Sequence, residues 1–174
     1  MRKIVLTFGL ISGAILGAMM LLTLPFQDKL GFETGAVIGY TTMVAAFPMI
    51  YFGVRSYRDN VVGGTVTSGR AFRVGLLISL VGTACYVATW EVIYYKLAPD
   101  FTAKYAAAAV SRVKREGGTA EQVAAKEKEM ADFGEAYKNP LINIAYTTLE
   151  PLPVGLLFAL GTAGLMSRKR RVAA

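Results

Sequence analysis

The sequence predicts an all-α membrane protein: a four-span antiparallel transmembrane helix bundle, with an extracytoplasmic amphipathic helical hairpin between spans 3 and 4. Three observations predict it. The 174-residue chain holds four apolar runs close to or above the about 20 residues that cross a hydrocarbon core. Hydrophobic residues make up 54% and charged residues only 18%, against about a quarter charged in a soluble domain. The charges gather at the ends of the runs, where membrane topology uses them. The length fits one integral membrane domain over residues 1–174.

The first span covers about 4–26 and carries no charge. Arg2 and Lys3 precede it, as in a signal peptide, but the run is longer than an h-region and no A-x-A site follows. Gly9, Gly13 and Gly17 recur every fourth residue, so one stripe of this helix lets another backbone approach closely. Packing within the chain is the expected use of that stripe, and a homodimer through Gly9, Gly13 and Gly17 is the alternative. Span 2 covers about 35–54, with Gly35 and Gly39. Span 3 covers about 71–95, with Gly75, Ser79 and Thr83. Span 4 covers about 141–166, with Gly161 and Gly164. Small residues in all four give packing faces.

Lys and Arg near the span ends set the orientation. Ten of them fall on one side: Arg2 and Lys3; Arg55, Arg58, Arg70 and Arg73; and Arg168, Lys169, Arg170 and Arg171. Both termini are therefore expected in the cytoplasm of a bacterial cell, with the protein in its cytoplasmic (inner) membrane. Arg55, Arg58, Arg70 and Arg73 are candidate contacts for anionic headgroups. In the loop they flank, Asp59-Asn60 and Gly63-Gly64 are turn signals, which suggests a small hairpin. The net charge of +7 would suggest nucleic acid in a soluble protein, but here the basic residues flank apolar runs, so no nucleic acid is expected.

The long segment, about 97–140, carries seven basic and seven acidic residues. Gly117-Gly118 divides it, and Thr119 with Gln122 forms a capping-box pattern at a helix start. Val123, Met130, Phe133 and Tyr137 recur at helical spacing, as do Phe101, Tyr105 and Val113 before the glycines. Two helices with apolar faces, packed on the bundle or on headgroups, are expected. A partner-docking role is the sharper alternative.

The chain has no histidine, which removes the commonest general base and zinc ligand. Its one cysteine, Cys85, lies inside an apolar run and offers neither a disulfide nor a metal spacing. No cofactor, no metal site and no catalytic residue are assigned, and the chain is not expected to be an enzyme. Two carboxylates nonetheless lie within spans, where a charge costs about 2.5–3.5 kcal/mol near the bilayer centre. Glu91 is five residues before Lys96, roughly 7 Å inward. Glu150 is ten residues after Pro140, roughly 15 Å inward. Tyr40, Tyr86, Tyr146 and Thr147 fall at similar depth, and Glu91, Glu150 and these four form the candidate intramembrane polar site. Pro151 and Pro153 lack N–H groups, so the carbonyls of Thr147 and Leu149 lose their helical donors. Structural polar glue is the first expectation. The alternative is a cation or proton site, which requires Glu91 and Glu150 to converge on one polar cavity.

The strings Tyr51-Phe52-Gly53-Val54-Arg55-Ser56-Tyr57-Arg58-Asp59-Asn60, Gly63-Gly64 and Ser68-Gly69-Arg70-Ala71-Phe72, with Gly75, resemble a bacterial membrane family catalogued as domain of unknown function 4199. Tyr86-Val-Ala-Thr-Trp90-Glu91 and Pro99-Asp100-Phe101 are similar to it as well, and the resemblance covers nearly the whole chain. It implies a small multi-span protein of the cytoplasmic membrane, and it implies no activity, substrate, cofactor or functional residue. Function is therefore expected to be structural or accessory, with an unknown membrane-protein partner. A small proton- or cation-coupled transporter or channel using Glu91 and Glu150 is the alternative, and a membrane-embedded enzyme stands third.

Overall fold

The computed structural model describes residues 1–167, all helix and connecting turns, with no strand among them. The helices are α1 (Arg2–Thr23), α2 (Gln27–Ala46), α3 (Pro48–Asn60), α4 (Ser68–Val92), α5 (Phe101–Arg115), α6 (Ala120–Tyr137), α7 (Pro140–Leu149) and α8 (Pro151–Met166). Arg168, Lys169, Arg170 and Arg171, counted above toward orientation, lie outside the described residues.

Three helical stretches are long and apolar enough to cross a membrane: Arg2–Asn60, Ser68–Leu97 and Pro140–Met166. The first has 59 residues. Straight, it would run about 90 Å, some three times a hydrocarbon core. It is not straight. A 3₁₀ turn at Leu24–Phe26 contains Pro25, and Gly31 at φ 71° and ψ 165° breaks the helix inside α2. Only glycine adopts that backbone at low cost. The chain then folds back, so that α3 packs on α1 and a Cβ placed on Gly53 would meet the Phe8 side chain at 3.2 Å. The run expected as one helix over 35–54 is also divided, at Phe47–Pro48. Pro48 has no N–H to give the Val44 carbonyl, as Pro151 has none for Thr147.

α4 lies at the centre, packed against α1, α3 and α8. Leu16, Phe47, Ile50, Val54, Val74, Ile78 and Ala159 are almost wholly buried between these helices. The glycine stripe of α1 is used inside the chain. Gly9 faces Val81, Gly13 faces Cys85 and Gly17 faces Thr89, each so close that an added methyl would collide. Those three partners are themselves four residues apart on α4, so two small-residue stripes meet along their length. This leaves no room for a second copy at Gly9, Gly13 and Gly17. Gly155 of α8 meets the Ser79 hydroxyl in the same way. At Gly35, Gly39, Gly161 and Gly164, in contrast, an added Cβ would meet no described atom within 4 Å.

α5 and α6 pack on each other through a turn at Gly117, whose φ is 79°. The capping box is formed: the Gln122 N–H donates to Thr119 Oγ1 at 3.3 Å, and the Thr119 N–H donates to Gln122 Oε1 at 2.8 Å. Met130 and Tyr137 are buried, and Phe133 packs on Tyr105 and Tyr137. The 61–67 connection is a plain turn, with Gly63 and Gly64 at positive φ, and the small hairpin suggested there does not form. Seven residues without an apolar alternation leave nothing to pair as strands.

Candidate functional site

The break between α7 and α8 falls on Glu150, which ends the first helix and begins the second. Pro151 follows at the first position of α8, where its fixed φ suits a helix start, while the Thr147 carbonyl of α7 loses its donor. The carboxylate is exposed to a cavity of about 590 Å³, walled by α1, α2, α4, α5, α6 and α7. The hydroxyl of Tyr86, buried on α4, donates to Glu150 Oε2 at 2.6 Å.

Next to this pair lies a second polar group. The Trp90 Nε1–H lies 3.0 Å from Tyr137 Oη and 3.1 Å from Asn143 Oδ1, so one donor is shared by two acceptors. The Thr147 hydroxyl is 3.3 Å from each of the same two atoms. Asn143 is fully buried, and its Nδ2 finds no partner among the described residues. These contacts tie α4, α6 and α7 together around the cavity. A belt of rings closes its far end. Trp90 meets Phe101 edge-on with centroids 4.6 Å apart; Phe32 meets Phe101 and Tyr105 in the same manner; Phe133 meets Tyr146.

The structure brings Glu150, Tyr86, Tyr40, Tyr146 and Thr147 into this one cavity. It does not bring Glu91. Residues on a helix turn by about 100° each, so Trp90 lies about 40° from Tyr86 around α4, and Glu91 about 140° from it. Glu91 instead shares the outward stripe of Leu80, Ala84 and Ala88. There it is half-buried, and its Oε1 has no hydrogen-bond partner among the described residues. Helical phase separates the two carboxylates. Gly35 and Gly39 are the second surprise. With Gly31 they form a bare wall of the cavity. The rings of α5 and α6 are the third, since their periodicity signalled an apolar face and gave no hint that the face closes a cavity.

On the opposite end of the bundle, Arg58 Nε donates to Asp59 Oδ1 at 2.7 Å, and its Nη1 lies 3.2 Å from Met166 Sδ of α8. Arg58's hydrogen bond holds the Asp59 carboxyl below its ordinary range. Arg55 lies 3.7 Å from the other Asp59 oxygen, while Arg70 and Arg73 are exposed. Among the described residues, no three His, Cys, Asp or Glu side chains come together as a metal site.

No curated protein matches this chain, and no solved structure does. A family model does match, over residues 7–168, under the description "Protein of unknown function". The chain belongs to that family, DUF4199.

Proposed function

We propose that the protein is a non-catalytic, four-span integral membrane protein, an accessory protein of a bacterial cytoplasmic membrane with both termini in the cytoplasm. The observation that carries this reading is the doubling-back of residues 2–60. Because α3 returns along α1, this stretch supplies two crossings, and α4 and α7–α8 supply the third and fourth. Arg2, Lys3, Arg55, Arg58, Arg70 and Arg73 then fall at one end, where they meet anionic headgroups. α5 and α6 fall at the other end, outside the cell. The absence of histidine and the burial of Cys85's neighbour Gly13 against it support a non-catalytic role.

Single cysteines read by a membrane-impermeant maleimide on intact cells test the topology, in a Cys85→Ala background. Asn60→Cys should label only after permeabilisation, and Gln122→Cys before it. The reverse pattern, or labelling of both from outside, overturns the reading. Co-purification from native membranes tests the accessory role.

The Tyr86–Glu150 bond inside a cavity favours a second reading, a small proton- or cation-coupled transporter or channel. It would rest on Glu150 alone. Unchanged pH- or cation-dependent flux through reconstituted Glu150→Gln protein ends it.

A further inference from the structure

We propose that the cavity around Glu150 binds an organic cation, an amine or quaternary ammonium carrying a compact apolar or aromatic body. This goes beyond the proposed function, and it holds whichever side of the membrane the cavity faces.

Charge is the first argument. Among the described residues, Glu150 is the one carboxylate on the cavity wall, and no Lys or Arg lines it. A carboxylate inside a membrane span that faces a space without a cation is costly unless something compensates it. Tyr86 does not neutralise it. A phenol has one hydrogen to give, and it goes to Oε2, which fixes the carboxyl group in place and leaves Oε1 without a side-chain donor among the described residues.

The rings are the second argument. Trp90, Tyr86, Tyr137, Tyr146, Tyr40 and Phe133 all line the same space. Aromatic rings attract a cation through their quadrupoles, and quaternary ammonium groups are recognised by such rings. Size and donor set are the third. About 590 Å³ suits a small organic molecule, since such sites run from about 300 to 1,000 Å³. A Ca²⁺ or Mg²⁺ ion needs six or more oxygen ligands, which one carboxylate and a few hydroxyls do not supply. The bare wall of Gly31, Gly35 and Gly39, beside Met43, offers an apolar surface for the ligand's body.

Trp90 is the only tryptophan of the chain and lines the cavity, so its fluorescence reads occupancy directly. The full-length protein, in phosphatidylglycerol nanodiscs, is titrated with benzyltrimethylammonium and with its neutral carbon isostere, neopentylbenzene. The cation should bind about tenfold or more tighter than the isostere, as expected for a cation held by aromatic faces beside a carboxylate. Glu150→Gln in the same discs should weaken the cation by about 10- to 100-fold. Gly39→Leu, at a position where an added Cβ meets no described atom within 4 Å and the side chain enters the cavity, should block binding while keeping the thermal stability of the parent. A second set of discs containing phosphatidylethanolamine separates the two sources of amine. A weakened apparent affinity there assigns the site to a lipid headgroup, and an unchanged affinity assigns it to a free solute. Equal binding of the isostere, full affinity in Glu150→Gln, or no response to the cation in phosphatidylglycerol discs overturns the proposal.

Discussion

The Tyr86 hydroxyl donates to Glu150 Oε2 at 2.6 Å, across 64 residues of sequence, and so links the central helix α4 to the point where α7 gives way to α8. Glu150 keeps helical dihedrals, φ −71° and ψ −58°, but Pro151 and Pro153 give no N–H to the carbonyls of Thr147 and Leu149, so the backbone ladder is interrupted there. The junction therefore depends on side-chain bonding to a neighbouring helix rather than on its own backbone ladder. A side-chain hydrogen bond contributes about 0.5–1.5 kcal/mol. Tyr86→Phe should lower stability by that order, read as thermal unfolding of the detergent-solubilised protein by circular dichroism. Glu150→Leu combined with Tyr86→Phe should cost less than the sum of the two single changes, since each removes the same bond. A Tyr86→Phe protein as stable as the parent would show that the bond carries no weight.

The glycines divide into two classes by what surrounds them. At Gly9, Gly13 and Gly17 an added methyl would strike Val81, Cys85 or Thr89, so alanine there should destabilise by about 1–3 kcal/mol, the usual cost of overpacking. At Gly35, Gly161 and Gly164 the added methyl meets nothing. Alanine at these three should be neutral or stabilising by a few tenths of a kcal/mol through its better helix propensity. Thermal unfolding of Gly13→Ala beside Gly161→Ala separates the classes. Equal midpoints would contradict the α1–α4 contact.

α5 is held to α2 by a charge cluster: Lys104 Nζ lies 3.0 Å from both Asp28 Oδ1 and Asp100 Oδ2. Asp100's carboxyl is held below its ordinary range by the Lys104 hydrogen bond, so its contribution is present above about pH 4 and is lost as pH falls through the lowered value. The Lys104 ammonium is raised by hydrogen bonds from its nitrogen to Asp100 and Asp28, so its contribution is full below about pH 10.4 and is lost as pH rises through the raised value. Docking of α5 should therefore be flat between these limits and loosen outside both. These groups are exposed, so salt should weaken the contact. Limited proteolysis within α5 against pH and salt checks this. Lys104→Ala should raise cleavage at neutral pH, and cleavage that ignores both the substitution and salt would place the hold on α5 elsewhere, in the Phe32–Phe101–Tyr105 contact.

Composition and charge placement were enough to make the chain helical and apolar over four runs. Both are one-dimensional: a run of some twenty uncharged residues must be helical in hydrocarbon, because no water satisfies its backbone. Local chemistry was legible for the same reason. The Thr119–Gln122 capping box, the glycine turns and the Pro151 break each rest on residues within a few positions of one another. Even the glycine stripe of α1 was visible as a packing face. Its partner was not, since nothing in the spacing of Gly9, Gly13 and Gly17 distinguishes α4 of the same chain from a second copy.

What only the tertiary structure decided is which side chains share a space. Depth along a helix can be counted from sequence, but direction around its axis has meaning only once the neighbours are in place. Glu91 and Glu150 lie at plausible depths for one site, yet Glu91 turns about 140° away from Tyr86 and leaves Glu150 alone in the cavity. Gly35 and Gly39 resemble packing residues and instead bound an open space, because α2 stands off from the core where the Gly31 break redirects it. The aromatic faces of α5 and α6 met no predicted partner in sequence, and in the fold they complete the cavity wall around Glu150.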